Sequence, residues 1–304
     1  ITGFPGEPDT AKNHFLLGEL LYEDSRFAEA SVEYEKTAYG YPKHDKSADA
    51  GYAALLAYAE QDKRAVAADK PKLQLAGVQS SLRFADANGG DPRVATVLTD
   101  AADRLYALKD IEQAQRVAER VLALDPPATA DQRRVATTVL ANTAFEGGAF
   151  DRAEKRYGEL LTLTPANDKS RAELVERQAA AIYKQGEAAQ KSGNAQDAVG
   201  HFTRVAAVAP GSAIHASAQY DAAAALIGLK DWDNAAKTLE DFRQRFPKHP
   251  LADDASNKRA VAYLEKGRWS EAAGEFERVA SSGKDPKLAQ EALWQAAELH
   301  GKGN

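Results

Sequence analysis

The sequence predicts an all-α solenoid of antiparallel helix pairs, on three observations. The segment Lys230-Asp231-Trp232-Asp233-Asn234-Ala235-Ala236 recurs as Gly267-Arg268-Trp269-Ser270-Glu271-Ala272-Ala273, 37 residues later. Its inner frame, a large residue followed three positions on by alanine, returns at Phe27/Ala30, Ile111/Ala114, Phe150/Ala153 and, weakened, Ala195/Ala198, making six copies. Each copy has a seam residue four after the alanine (Tyr34, Ala118, Tyr157, Phe202, Leu239, Phe276) and a small residue twelve before it (Gly18, Ala102, Ala141, Gly186, Ala223, Ala260). Self-similarity on this scale marks stacked supersecondary units, each needing its neighbours to bury its apolar face.

Each part of the frame has a physical reason. The small residues let two antiparallel helices approach closely, and the seam residue fills the space between them. Pro42, Pro126, Pro165, Pro210 and Pro247 follow the seam residues by eight positions. There they stop the second helix, because proline lacks an amide donor and clashes with the preceding turn. Gly148, Gly193 and Gly267 fall between paired helices, where a helix C-terminus calls for left-handed φ.

Between Ala30 and Ala114 there is room for one irregular repeat, with a first helix over 47–60 and a second over 71–87. Pro71 suits a first helical turn, and Asn88-Gly89-Gly90-Asp91-Pro92 reads as a stop. A helix over 288–299 closes the chain as half of another hairpin, and the largest extension of the period is expected around 174–192.

The large-small-aromatic-proline pattern resembles the tetratricopeptide repeat family. Phe246-Pro247-Lys248-His249-Pro250-Leu251-Ala252-Asp253-Asp254-Ala255, an aromatic-Pro pair with a short polar link and an alanine-bearing helix, resembles the repeats of bacterial envelope proteins. These are the outer-membrane assembly lipoproteins and the Tol-Pal-associated periplasmic proteins. The resemblance implies a right-handed superhelix and a periplasmic setting. It also implies a single repeat domain over 1–304, with approximate repeats 11–42, 43–92, 93–127, 130–166, 171–211, 212–248 and 249–284 and a terminal helix 286–300. Spacings of 37 to 45 between successive alanines from Ala114 exceed the family's usual period of about 34.

In that family the first helix of each hairpin lines a concave groove. Carried onto this chain, the groove presents Phe15, Glu19 and Tyr22, then Asp103 and Tyr106, Asn142 and Phe145, Tyr183 and Glu187, Tyr220, and Trp294 with Glu298. Rigid aromatics there would grip a protein or peptide at small entropic cost. The same aromatics serve equally to pack neighbouring hairpins, and Trp232 and Trp269 read as core. Some members hold a partner's C-terminal carboxylate with Lys, Asn and Arg. Asn142 and Lys184 are available for this, but Phe15 and Glu19 occupy the first-repeat places, so such a clamp is not expected.

Composition narrows the chemistry. Hydrophobic residues at 44% and charged residues at 28% describe a chain that folds. With 39 Lys and Arg against 45 Asp and Glu, the net charge of -6 lacks the basic excess of a nucleic-acid binder. No apolar run reaches the ~18 residues of a membrane span. With no cysteine there is no disulfide, thiolate metal site or Cys nucleophile. The absence of methionine and a start at Ile1 point to a processed fragment, or to methionine positions missing from the sequence as written.

His14, His44, His201, His215, His249 and His300 show no i, i+4 pair with an intervening Glu, and no phosphate-cradling loop or nucleophile elbow occurs. Asp253-Asp254 diverge on a helix and read as favourable charges near its N-terminus. No catalytic residue, metal site or cofactor is therefore expected. The expected function is a non-catalytic scaffold or adaptor that binds a protein or peptide, in a bacterial envelope assembly or another membrane-associated complex. The alternatives are the repeat arm of a larger enzyme or secretion machine, and a binder of cell-wall glycan.

Overall fold

The computed structural model describes residues 9–282 and 286–303, and among these every regular element is α-helical. The chain divides into two compact units, one ending at Thr143 and the next beginning at Ala144.

The first unit contains α1 (Thr10–Glu23) and α2 (Phe27–Tyr39), α3 (Ser47–Arg64) and α4 (Lys70–Ala87), α5 (Val94–Ala107) and α6 (Ile111–Leu122), and most of α7 (Ala130–Glu146). The second contains α8 (Phe150–Leu163), α9 (Arg171–Lys191) with α10 (Ala195–Val208), and α11 (His215–Gly228) with α12 (Trp232–Arg245). It closes with α13 (Ala252–Glu265), α14 (Trp269–Ser282) and α15 (Pro286–Gly303). At 21 residues α9 is the longest described helix and covers nearly all of the stretch where the period was expected to lengthen. In the irregular repeat, α3 runs four residues beyond its expected end and α4 matches its expected span. The end of the repeat drawn over 249–284 lies outside the described residues.

One turn is used six times. In Asp24-Ser25-Arg26, Leu108-Lys109-Asp110, Gly147-Gly148-Ala149, Ser192-Gly193-Asn194, Leu229-Lys230-Asp231 and Lys266-Gly267-Arg268 the middle residue has positive φ, between 59° and 81°. The third residue's N–H donates to the carbonyl five back, as Arg26 to Leu21 at 2.8 Å, Asp110 to Leu105 at 3.0 Å and Asn194 to Ala189 at 2.9 Å. This is the Schellman arrangement, which satisfies a carbonyl that the helix end leaves open. Asp110, Asn194 and Asp231 then cap the second helix, each accepting the amide three residues on.

The irregular hairpin lacks this turn. The α3–α4 link runs through Ala65 in extended conformation (φ -68°, ψ 141°), and five residues separate the helices.

Close approach is set by the small residues. A Cβ on Gly18 would come within 2.8 Å of the Tyr34 ring, and one on Gly186 within 2.5 Å of the Phe202 ring. Tyr34 and Phe202 are almost fully buried, so the missing Cβ is what admits each ring. The third hairpin solves the same contact with Ala102 and Ala118, both fully buried.

Beneath α12, α13 and α14 lies an ionic cluster. The Glu275 carboxylate, only 5% exposed, accepts from Arg243 at 2.7 Å and Arg259 at 2.6 Å, and Glu240 pairs with the same two guanidinium groups.

Trp232 packs against the last apolar cluster, but Trp269 is 36% exposed and is not a core residue. The corresponding Phe27 is covered by the Arg64 guanidinium, 4.4 Å from its ring, whereas the residue beside Trp269 on α15 is Gly303, which brings no side chain.

Candidate functional site

In the first unit, Phe15 and Tyr22 are half-buried and each rests on a ring of its own hairpin. Phe15 meets Tyr34 at 5.8 Å, and Tyr22 meets Phe27 edge-on at 5.0 Å. Glu19, exposed on α1, accepts the Tyr34 hydroxyl at 2.5 Å. Burial, and then this carboxylate, push the Tyr34 hydroxyl well above the ordinary tyrosine range. On α5, Asp103 is exposed and Tyr106 packs partly into the first unit's main apolar cluster, with Lys109 5.0 Å from its ring. Asn142 is half-buried on α7.

In the second unit the same registers recur. Phe145 meets Phe150 edge-on at 5.4 Å, as Tyr22 meets Phe27, and Tyr183 lies against Phe202 at 5.3 Å, as Phe15 lies against Tyr34. Tyr220 rests on Phe242 at 5.8 Å. Two of these tyrosines also reach forward into the next hairpin. The Tyr183 hydroxyl on α9 donates to Asp221 on α11 at 2.5 Å, and the Tyr220 hydroxyl on α11 donates to Asp254 on α13.

Both tyrosines are pushed well above their ordinary range, first by burial and then by the carboxylate each one meets. Burial also raises the Asp221 carboxyl, the Tyr183 hydroxyl pulls it back down, and the nearby Glu187 pushes it up again. The structure thus brings Tyr183, Glu187 and Tyr220 into one strip with Asp221 and Asp254, along α9, α11 and α13. Glu187 and Asp254 are 41% and 49% exposed and are joined by Lys184 and Lys258 respectively. On α15, Trp294 is 70% exposed and Glu298 is exposed, and neither takes part in that strip.

A further concavity lies between the irregular hairpin and the helix that follows it. Between α3, α4 and α5 a cavity of about 120 Å³ is lined by Leu55, Leu56, Asp62, Gln74, Val97 and Arg104, among others. Asp62 Oδ2 accepts from Gln74 at 3.2 Å and lies 3.6 Å from the Arg104 guanidinium. Asp62 and Arg104 were not among the expected site residues. The irregular period between Ala30 and Ala114 was the only sequence signal near them.

Residues 175–302 match the model of the YfiO family, described as outer membrane lipoprotein. No curated protein sequence matches the chain. Among solved structures, the TPR2AB domain in the pHSP90 complex of yeast Sti1 is 15% identical, with 96% of this chain and 100% of that one covered and a TM-score of 0.41. A tetratricopeptide repeat protein from Parabacteroides merdae is 14% identical over 94% of this chain and 98% of its own, with a TM-score of 0.36. YrrB, a TPR protein with an unusual peptide-binding site, is 17% identical over 71% of this chain and 98% of its own, with a TM-score of 0.35. In fold, then, this chain is an all-α array of tetratricopeptide-type helix pairs, and its residues 175–302 are similar to the YfiO outer membrane lipoproteins.

Proposed function

We propose that the chain is a non-catalytic interaction scaffold that holds a protein or peptide within a bacterial envelope assembly. The observation that carries this reading is the strip on α9, α11 and α13. Its tyrosines are fixed at both ends, the ring on its own hairpin and the hydroxyl on the next. A half-exposed aromatic held this way offers contact area with little rotamer entropy left to lose. Glu187 and Asp254 beside it are each already paired with a lysine, and counted with Asp221 against Lys184 and Lys258 they leave the strip one excess negative charge, which favours a partner segment carrying basic residues.

The envelope setting is supported by the match of residues 175–302, which contain nearly all of this strip-bearing region, to an outer membrane lipoprotein family. Among the described residues no helix is long and apolar enough to cross a membrane, so the proposed placement is at a membrane-associated complex rather than through the bilayer by a helix of this segment.

The test is capture from bacterial envelope extract by the immobilised chain, followed by mass spectrometry. A Glu187→Arg/Asp254→Arg variant of unchanged helicity should lose the partner that the wild type retains. Equal capture by both, or no specific capture by the wild type, would overturn the reading.

A further inference from the structure

The 37-residue step that repeats Trp232 as Trp269 also carries a ring-filled part of one repeat onto the next, and there the rings are missing. Tyr220 rests on the fully buried Phe242 at 5.8 Å, and the ring of His215 joins them through Phe246. In the places of Tyr220, Phe242 and His215, 37 residues on, stand Asn257, Val279 and Ala252. All three line a groove of about 730 Å³ between α13, α14 and α15. Phe276 lines it too and is only partly buried, whereas the other five seam residues are buried. Leu288 on its wall is 58% exposed, where the equivalent Leu251 packs against the ring cluster. A groove of this volume has room for a short chain segment with one large side chain.

The hydrogen bond between successive first helices loses one side in the same step. Tyr220 on α11 donates to Asp254 on α13, and the positions equivalent to that pair hold Asn257 on α13 and Glu291 on α15. Glu291 lines the groove, is exposed to solvent, and makes no hydrogen bond or ion pair among the described residues. The acceptor is thus present and reachable, while the phenol that would meet it is absent from this chain.

We propose that the groove seats a tyrosine side chain of the partner, its ring against Phe276 and Val279 and its hydroxyl donating to Glu291. One repeat earlier the chain builds this arrangement from its own residues, so the same template specifies both the ring and the bond. Phe276 offers the incoming ring an aromatic face, and Glu291 separates tyrosine from phenylalanine by a charge-assisted bond. The assignment rests on the scaffold reading above and adds to it the residue that the partner must carry.

The test titrates the full isotopically labelled chain with N-acetyl-Gly-Tyr-Gly-amide and with its Phe and Leu counterparts, following backbone amides by NMR. Saturable shifts are expected at Asn257, Val279 and Glu291 with the Tyr peptide. The Phe peptide should bind about three- to tenfold more weakly, the range for one net hydrogen bond, and the Leu peptide more weakly still. Glu291→Ala, at an exposed position, should bring the Tyr peptide down to the affinity of the Phe peptide and leave the latter unchanged. Asn257→Tyr, also at an exposed position, restores the ring of the preceding repeat and should abolish binding of all three. No saturable shift with the Tyr peptide, Phe or Leu peptides that bind as strongly, or a Tyr–Phe difference that survives Glu291→Ala overturns the proposal.

The two readings fail separately. Capture of an envelope partner equally by wild type and Asn257→Tyr overturns the groove as the partner's seat and leaves the scaffold reading standing. Saturable binding of the Tyr peptide with no specific capture by the wild type overturns the scaffold reading, while the affinity of the groove for tyrosine stands.

Discussion

The Tyr183 hydroxyl donates to Asp221 at 2.5 Å, joining the first helices of two successive hairpins through a side-chain bond. Tyr220 and Asp254 repeat the relationship one hairpin on. The bond needs the neutral phenol, and the sign of its pH dependence follows. Tyr34, Tyr183 and Tyr220 are all raised above the ordinary value, first by burial, and Tyr39 is pushed up to about 12 by burial and then by Glu35. A group whose folded pKa is raised contributes stability fully below its unfolded pKa, and that contribution falls away as pH climbs through the folded one. The melting temperature should therefore be steady from pH 7 to 9 and drop steeply above about pH 10, where unfolded tyrosines ionise. Melts followed by circular dichroism at pH 8, 10 and 11 check this, and a Tyr183→Phe/Tyr220→Phe variant should show a shallower alkaline decline.

The turns give a second prediction. Ser25, Lys109 and Lys230 occupy the same left-handed position as Gly148, Gly193 and Gly267. An L-residue there carries a Cβ–carbonyl conflict of roughly 1–2 kcal/mol, partly offset by the greater chain entropy that glycine loses on folding. Lys109→Gly and Lys230→Gly should each raise stability by about 0.5–1 kcal/mol, read from denaturant midpoints. A loss of stability in both would mean that the lysine side chains contribute more than their backbone strain costs.

These turns also mark how far the sequence is legible. The three glycines announce their turns, but the other three are invisible because the conformation is imposed by the backbone bond from the third turn residue to the preceding helix, and that bond needs no special side chain. The first-helix positions of Phe15, Tyr183 and Tyr220 are likewise readable, since each lies three before its small residue. Their onward partners are not. Asp221 lies two before Ala223 whereas Asp254 lies six before Ala260, so the tyrosine–carboxylate bond is conserved in space and not in register. The cavity shows the same limit. A broken period reveals that something differs between Ala30 and Ala114, but Asp62 and Arg104 are 42 residues apart on helices of different hairpins, and no local pattern pairs them.

Gly186 tests the packing argument. Its absent Cβ would sit 2.5 Å from the Phe202 ring, which is almost fully buried and hemmed in by Tyr183. The ring has no free space to yield, so Gly186→Ala should destabilise by about 1–3 kcal/mol despite alanine's better helix propensity. Gly200, on the same hairpin with nothing within 4 Å of a Cβ, provides the control, and Gly200→Ala should be stabilising by up to about 1 kcal/mol. Urea midpoints that moved alike for the two would contradict steric control at Gly186.

The ionic cluster under α12, α13 and α14 makes the last case. Glu275 is 5% exposed and is the acceptor for Arg243 and Arg259, both 15% exposed, with Glu240 sharing the same pair. Removing the Glu275 carboxylate leaves two largely buried guanidinium groups with one acid between them, so the cost is the desolvation of charge that has lost its partner and exceeds the worth of a surface bridge. Glu275→Ala should lower stability by about 3–5 kcal/mol. Glu275→Gln keeps the shape but only one of the two acceptor oxygens, and sets an amide donor against the other guanidinium, so it too should be destabilising. A surface pair supplies the contrast. Arg26 and Glu29 are about half exposed, and Glu29→Ala should leave stability nearly unchanged. Equal and small effects for Glu275→Ala and Glu29→Ala in chemical denaturation would show that the cluster is hydrated in solution and does not lock these hairpins together.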